Sequence, residues 1–62
     1  MKVRVTVNGT TAWMEGQSIE YILEQCGYPV ESVILLKDGS VVPEDDVSDN
    51  DAIELLPVAS GG

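Results

Sequence analysis

The stretch Ser18-Ile-Glu-Tyr-Ile-Leu-Glu-Gln-Cys-Gly27 carries helix signals inside a chain of otherwise strand-like runs. Ser18 is a favoured helix N-cap residue. Gly27 stands where the left-handed residue after a helix belongs, and Pro29 blocks continuation. Four apolar residues at helical spacing form one stripe: Ile19, Ile22, Leu23 and Cys26. The stretch predicts one helix of about two to three turns.

Upstream of the helix, the sequence predicts a β-hairpin. Three valines alternate with polar residues over positions 2–8, which is the period-two pattern of a half-buried strand. Asn8-Gly9 favours a tight turn because both turn positions require positive φ. The returning strand covers residues 10–14, with Ala12 and Met14 on one face and Thr11 and Trp13 on the other.

Downstream of the helix, the apolar run Val33-Ile-Leu-Leu36 is too short for a second helix. It predicts a strand that is buried on both faces or lies in the centre of a sheet. Asp38-Gly39 then predicts a second hairpin turn. Val41-Val42 is expected to pair briefly before Pro43 ends the ladder.

An acidic loop and a last strand complete the pattern. Residues 44–51 hold five of the eleven acids and predict a solvated loop, in which Asp45-Asp46 or Ser48 caps a turn of 3₁₀ helix. The last strand begins at Ala52. Its inward side chains are expected to be Ile53, Leu55 and Pro57, and its outward side chains Glu54, Leu56 and Val58.

The elements follow the order hairpin, helix, central strand, short strand and final strand, which is ββαββ. This order is typical of an α+β, β-grasp fold, in which a mixed sheet packs on one helix. A right-handed crossover through the helix predicts that the third strand lies alongside the first hairpin. Residues 1–58 are expected to form the β-grasp domain, and residues 59–62 a flexible C-terminal tail.

Size and charge limit the functions open to the chain. With 62 residues, one small domain is expected, near the lower limit for folding without disulfides or metal. Eleven acids against Lys2, Arg4 and Lys37 give a net charge of −8. That charge repels phosphate backbones and argues against nucleic acid as a partner. It instead steers the domain toward a basic protein surface.

The sequence lacks the residues that several other kinds of site require. There is no His, and the single cysteine, Cys26, can neither form an internal disulfide nor complete a zinc site. Because Cys26 completes the apolar stripe of the helix, core packing is a better interpretation than a nucleophile or persulfide site. With no signal peptide and no apolar run near 18 residues, we expect a cytoplasmic protein with no membrane partner.

The last two residues, Gly61-Gly62, are where chemistry can be located. Glycine has no Cβ, so a diglycine stalk fits a narrow channel and leaves the α-carboxylate of Gly62 sterically open. Another protein can then bind and activate that carboxylate. The alternative is an ordinary frayed chain end.

The chain resembles the ThiS/MoaD family of sulfur carriers, ubiquitin-like β-grasp proteins related to the small archaeal modifiers. The resemblance spans the whole chain and rests on features in a fixed order: the Asn8-Gly9 hairpin, the Ser18-capped helix, the Asp38-Gly39 turn with Val42-Pro43, the acidic loop, the final strand and the diglycine. Ile53-Glu-Leu-Leu-Pro57 is similar to the run before the diglycine in MoaD-type members. The resemblance implies that the first and last strands are central neighbours in the sheet.

A member of this family is a substrate and not an enzyme. The resemblance implies that a ubiquitin-activating-type enzyme uses ATP and Mg²⁺ to adenylate the Gly62 carboxylate, while the chain itself binds no cofactor and no metal. A persulfide sulfur then displaces AMP, and the thiocarboxylate donates sulfur to a synthase in thiamine (thiazole), molybdopterin or tRNA thiolation. The alternative is a modifier joined through Gly62 to lysines of target proteins. A third possibility is a β-grasp binding module whose diglycine is accidental.

The activating enzyme needs a docking surface beside the tail. The candidate partner interface is Leu56, Val58 and Ala59, which precede the tail residues Ser60 and Gly61. An exposed apolar patch rimmed by acids suits an enzyme with a basic rim. Alternatively, Leu56 and Val58 pack as the far side of the sheet. Leu56 stands where MoaD-type members carry Phe.

Overall fold

The computed structural model describes residues 1–58, in which five strands form one sheet and a single α-helix packs against it. The strands are β1 (Lys2–Val7), β2 (Thr10–Glu15), β3 (Val33–Lys37), β4 (Ser40–Val41) and β5 (Ala52–Pro57), and the helix is α1 (Ile19–Gln25). Two 3₁₀ turns lie in the connections, at Val30–Ser32 and Glu44–Asp46. The predicted α+β, β-grasp order ββαββ is confirmed.

The sheet has the strand order β2-β1-β5-β3-β4, with β1 and β5 parallel and the other three pairs antiparallel. The expected central pairing of the first and last strands is confirmed, since Val5 lies opposite Ile53. The prediction that the third strand lies alongside the first hairpin is wrong, because β5 occupies the place between β1 and β3. The connection from β2 through α1 to β3 passes over the position next to β1. β5 fills that position and pairs with both β1 and β3.

Two tight turns fix the register of the hairpins. Asn8 and Gly9 have φ angles of 52° and 79°, and Asp38 and Gly39 have φ angles of 54° and 80°. Two successive positive φ angles are the signature of the type I′ turn, whose twist matches that of the strands it joins. The turns close the strand-end pairs Val7–Thr10 and Lys37–Ser40.

Both ends of α1 are capped as predicted. The Ser18 hydroxyl accepts a hydrogen bond of 3.2 Å from the backbone N–H three residues later. At the other end Gly27 has a φ of 85°. Its N–H donates to the Glu24 carbonyl, and the Tyr28 N–H donates to the Leu23 carbonyl, each at 3.0 Å. These two bonds form a Schellman motif, which satisfies carbonyls that the helix leaves open.

Ten apolar side chains form the core between α1 and the inner face of the sheet: Val3, Val5, Ile19, Ile22, Leu23, Val33, Leu35, Val47, Ile53 and Leu55. Burial of ten aliphatic side chains is the main favourable term in a domain of this size. It also explains how a chain without Phe, and without a disulfide, builds a single core.

The acidic segment is more than a solvated loop. The predicted 3₁₀ turn is present at Glu44–Asp46, but Asp45-Asp46 and Ser48 do not cap it, since its N-cap is Pro43 without a side-chain hydrogen bond. Val47 is buried and belongs to the core. The segment is also tied to the first strand, because Asp49 Oδ1 accepts from the Lys2 N–H and the Asn50 N–H donates to the Lys2 carbonyl, each at 2.6 Å. The prediction of a wholly solvated loop is therefore wrong, since one apolar side chain anchors it.

Two predictions of burial also need correction. In β3, Val33 is buried but Ile34 is 38% exposed, so the strand is buried on one face and not on both. The other alternative, a strand inside the sheet, is confirmed, since β3 pairs with both β5 and β4. In β5, Ile53 and Leu55 point inward as expected, whereas Pro57 is exposed. Pro57 is the last residue of its strand and stands at the end of the sheet.

Candidate functional site

The last strand divides its side chains between the two faces of the sheet. Leu55 is buried in the core, whereas Leu56 and Val58 are 40% and 42% exposed. Alternation along β5 puts Glu54 and Leu56 on the face away from α1, which we call the outer face. The predicted exposure of Leu56 and Val58 is confirmed. Their role as a partner interface stays a prediction.

Three side chains from β3 and β4 enlarge this apolar surface. Ile34 lies opposite Leu56, and Leu36 lies opposite Val41, which is 71% exposed. We refer to the set as the outer-face patch: Ile34, Leu36, Val41, Leu56 and Val58. The sequence did not predict that Ile34 and Leu36 of β3 belong to this surface, because four apolar residues in a row lack the alternation that marks an exposed face.

Val58 is held in place at the end of β5. Its N–H donates to the Ser32 carbonyl at 2.9 Å, and the Ser32 hydroxyl donates to the Pro29 carbonyl at 2.9 Å. The predicted interface and tail residues beyond it lie outside the described residues: Ala59, Ser60, Gly61 and Gly62. Four residues span at most about 14 Å. A protein that acts on Gly62 therefore has to come within that distance of Val58, beside the outer-face patch.

Charges of both signs lie on the outer face, but only Glu54 is next to the outer-face patch, because Arg4 lies opposite Ala52 at the other end of β5. Glu54 lies opposite Leu36 within the β3–β5 half of the face. On the hairpin half, Arg4 lies opposite Trp13, and the Lys2 ammonium is 5.3 Å from the centroid of the Trp13 ring. That distance is within the range of a cation–π contact. The outer face therefore has an apolar half on β3, β4 and β5 and a half on β1 and β2 with an aromatic ring and charges of both signs, since Glu15 lies opposite Lys2.

The third cation, Lys37, serves the fold. Its ammonium is 2.9 Å from Asp51 Oδ2, which also accepts a 2.7 Å hydrogen bond from the Ser48 N–H. The Lys37 hydrogen bond, and then the Ser48 hydrogen bond, lower the pKa of Asp51 below its usual value. The same contact with Asp51 raises the pKa of Lys37. The pair joins the acidic segment to β3.

Cys26 is half-buried and lines an apolar groove of about 240 Å³ with side chains of β1 and β2: Val5, Val7, Thr10, Ala12 and Met14. Burial raises the pKa of the Cys26 thiol, which lowers the thiolate fraction and supports packing as its role. Within residues 1–58, no three His, Cys, Asp or Glu side chains come together as a metal site. In that same part of the chain, no helix is long and apolar enough to cross a membrane.

A five-stranded mixed sheet on one helix, with its first and last strands paired in parallel, defines a ubiquitin-like β-grasp protein. The chain belongs to the small archaeal modifier protein 2 family, whose model matches residues 1–59. An uncharacterized protein from Archaeoglobus fulgidus is 39% identical over 49 residues, which cover 79% of this chain and 73% of that protein. The predicted membership of the ThiS/MoaD-like group of ubiquitin-like proteins is confirmed. Proteins of this type are carriers and not enzymes.

Proposed function

We propose that the Gly62 carboxylate is activated by an adenylating enzyme of the ubiquitin-activating type, which docks on the outer-face patch. One observation carries the proposal: an exposed apolar surface lies directly beside Val58, from which only four residues lead to Gly62. Membership of a small modifier family supports a partner of this class. In this account Leu56, Val58 and Ala59 contact the enzyme, and Ser60 and Gly61 carry Gly62 to its active site.

The outer-face patch has the composition expected of a docking surface. Large aliphatic side chains such as Ile34 and Leu56 release water when a partner covers them, which favours association. Glu54, beside Leu36, supplies orientation, because a partner needs a basic group near this carboxylate. The net charge of −8 accelerates encounter with a basic enzyme surface at low ionic strength.

The chemistry begins with a carboxylate that is a poor electrophile. A Gly62 oxygen attacks the α-phosphorus of ATP, pyrophosphate leaves, and the carboxyl becomes a mixed anhydride with AMP. The enzyme supplies ATP, Mg²⁺ and the electrostatic stabilisation of the transition state. The chain contributes an unhindered carbonyl carbon, because glycine places no side chain beside it.

The adenylate has two fates in this proposal. In sulfur transfer, a persulfide sulfur attacks the carbonyl carbon and AMP leaves, which gives an acyl disulfide. A thiol then attacks the persulfide's inner sulfur and is oxidised to a disulfide, which releases the thiocarboxylate that serves thiazole, molybdopterin or tRNA thiolation. In conjugation, a lysine amine attacks instead, AMP leaves, and an isopeptide bond forms. The family is described as modifiers, which favours conjugation as the fate of the adenylate.

The test is the mass of the protein purified from its native host. A chain that ends at Gly62 and gains about 16 Da, as sulfur replaces oxygen in the carboxyl, supports the sulfur-carrier fate. Target peptides that carry this chain's C-terminal residues on a lysine support conjugation. A chain that extends past Gly62 in the mature protein, or that shows neither product while its host makes the activating enzyme, would overturn the proposal.

A further inference from the structure

A pocket of about 230 Å³ opens where β3 reaches the edge of the sheet. It lies apart from the C-terminal attachment point on β5, because β4 pairs with the opposite edge of β3. Its walls are mostly aliphatic, with one carboxylate: Val30, Val33, Leu35, Val42, Pro43 and Glu44. Neither the sequence patterns nor the proposed function accounts for this surface.

The pocket exists because the edge strand β4 is too short to cover β3. β4 pairs only with Leu36 and Lys37, and the Val42 N–H adds one bond of 3.0 Å to the Leu35 carbonyl. Pro43 follows, and proline has no N–H to continue the ladder. Backbone groups two residues apart in a strand point the same way, so Val33 presents its N–H and carbonyl outward beside the pocket. An uncovered strand edge of this kind is a template for an extended peptide.

The charge at the pocket is uniformly negative. Among the described residues, Glu44 Oε2 is buried and has no hydrogen-bond partner. Burial, and then the nearby charges of Glu20, Asp45 and Glu31, raise the pKa of Glu44. A buried acceptor without a donor is unfavourable, and four acids in one region repel each other. A cation placed here would relieve both effects.

We propose that this pocket, the β3-edge pocket, binds an extended segment of a partner protein that carries an aliphatic residue and a neighbouring lysine or arginine. The aliphatic side chain fills the space between Val30, Val33 and Val42, and the cation pairs with Glu44. Backbone hydrogen bonds to Val33 align the segment as an added strand. Ile34 and Val41 border both this pocket and the outer-face patch, so the two surfaces are continuous. The proposal does not depend on Gly62, and its failure leaves the proposed function untouched.

The test is an NMR titration of the full-length ¹⁵N-labelled chain with three capped hexapeptides. The first is Thr-Val-Lys-Val-Arg-Thr, the second has glutamates in place of the two basic residues, and the third has serines in place of the valines. The first peptide is expected to shift the amides of Val33, Leu35, Val42 and Glu44. We expect the acidic peptide to bind at least about tenfold more weakly, because its charges repel. The peptide without valines is expected to bind at least about fivefold more weakly, because it fills no apolar space.

Charge reversal gives the sharper comparison. Glu44→Lys is expected to reverse the preference between the basic and acidic peptides, whereas the matched variant Glu54→Lys on the outer face keeps it. If Glu44→Lys loses its native amide spectrum, Glu31→Lys at an exposed position of the same acidic region replaces it and is expected to weaken the basic peptide. Three outcomes would overturn the proposal. They are no shift at these amides with millimolar peptide, equal binding of the serine peptide, or shifts centred on the outer-face patch.

Discussion

Ile34 and Leu56 lie opposite each other across the β3–β5 pair on the outer face, and they are 38% and 40% exposed. One residue along, Leu35 and Leu55 lie opposite each other on the inner face, and both are buried. The same two strands therefore supply one aliphatic pair to the core and one to the surface. The surface pair is the centre of the proposed docking site, because β5 leads from it to the C-terminal residues.

Leu56→Arg is expected to reduce adenylation of the chain while the fold is kept. A charged side chain at the centre of an apolar contact has to be desolvated when the enzyme docks, which costs binding free energy. We expect kcat/KM for adenylation by the host's activating enzyme to fall at least about tenfold. Initial rates of pyrophosphate release measure this.

Thr11→Arg is the matched control for that variant. It places the same charge on the outer face, but on β2 and away from the outer-face patch. We expect near wild-type adenylation. Equal losses in both variants would mean that net charge, and not docking on the patch, explains the effect.

Leu55→Ala and Leu56→Ala are expected to differ sharply in stability. Leu55 is buried, so its truncation leaves a cavity and is expected to lower the free energy of unfolding by about 2–5 kcal/mol. Leu56 is open to solvent on the outer face, and its truncation is expected to cost less than about 1 kcal/mol. Urea unfolding at neutral pH compares the two. Similar losses would place Leu56 in the core and remove the docking interpretation.

Gly16→Ala is expected to destabilise the junction between β2 and α1. A Cβ at this position would lie 2.6 Å from Tyr21 Cδ1 and 2.9 Å from Ile22 Cγ1. The backbone cannot shift freely, because Gly16 is bonded to Met1 through both its N–H and its carbonyl. Overpacking of this kind costs about 1–3 kcal/mol. Thermal unfolding is the measurement, with Gln17→Ala at an exposed neighbouring position as the control. An unchanged melting temperature would show that Tyr21 moves aside without cost.

Asp51→Asn is expected to destabilise the chain at neutral pH but not in strong acid. Because the pKa of Asp51 is lowered, its carboxylate stabilises the fold above its unfolded-state pKa of about 3.9 and loses that effect as pH falls through the folded-state value. The pKa of Lys37 is raised, so the dependence on pH runs the other way. Its ammonium stabilises the fold below its unfolded-state pKa of about 10.4 and loses that effect as pH rises through the folded-state value. Wild type and variant should therefore differ most between these limits.

Denaturant unfolding at a series of pH values checks the Asp51 prediction. The two unfolding free energies are expected to converge as the pH drops below the folded-state pKa of Asp51. A difference that stays constant from neutral pH into acid would assign the effect of Asp51→Asn to something other than the Lys37 ion pair.

Local signals in the sequence were sufficient to predict the helix, the strands and most of their boundaries. Asn8-Gly9 and Asp38-Gly39 occur at the turns because their backbones accept positive φ, and Ser18 and Gly27 cap the helix through bonds between near neighbours. Such interactions span only a few residues, so sequence patterns capture them.

The long-range arrangement was harder to predict. No local pattern shows that β5 fits between β1 and β3, so the expected position of the third strand was wrong. Val47 was missed because one apolar residue among acids gives no periodic signal. The exposure of Ile34 depends on which face of β3 the helix covers, and the uniform run Val33-Ile-Leu-Leu36 does not indicate that face.

ATP–pyrophosphate exchange by the host's activating enzyme shows whether the Gly62 carboxylate is adenylated. It is measured with the wild-type chain and with a chain extended by one alanine after Gly62, whose amide spectrum should match over residues 1–58. We expect the wild type to support exchange, because its Gly62 carboxylate attacks ATP, and the extended chain to support none. Equal exchange with both chains, or none with the wild type, would contradict the proposed adenylation of Gly62.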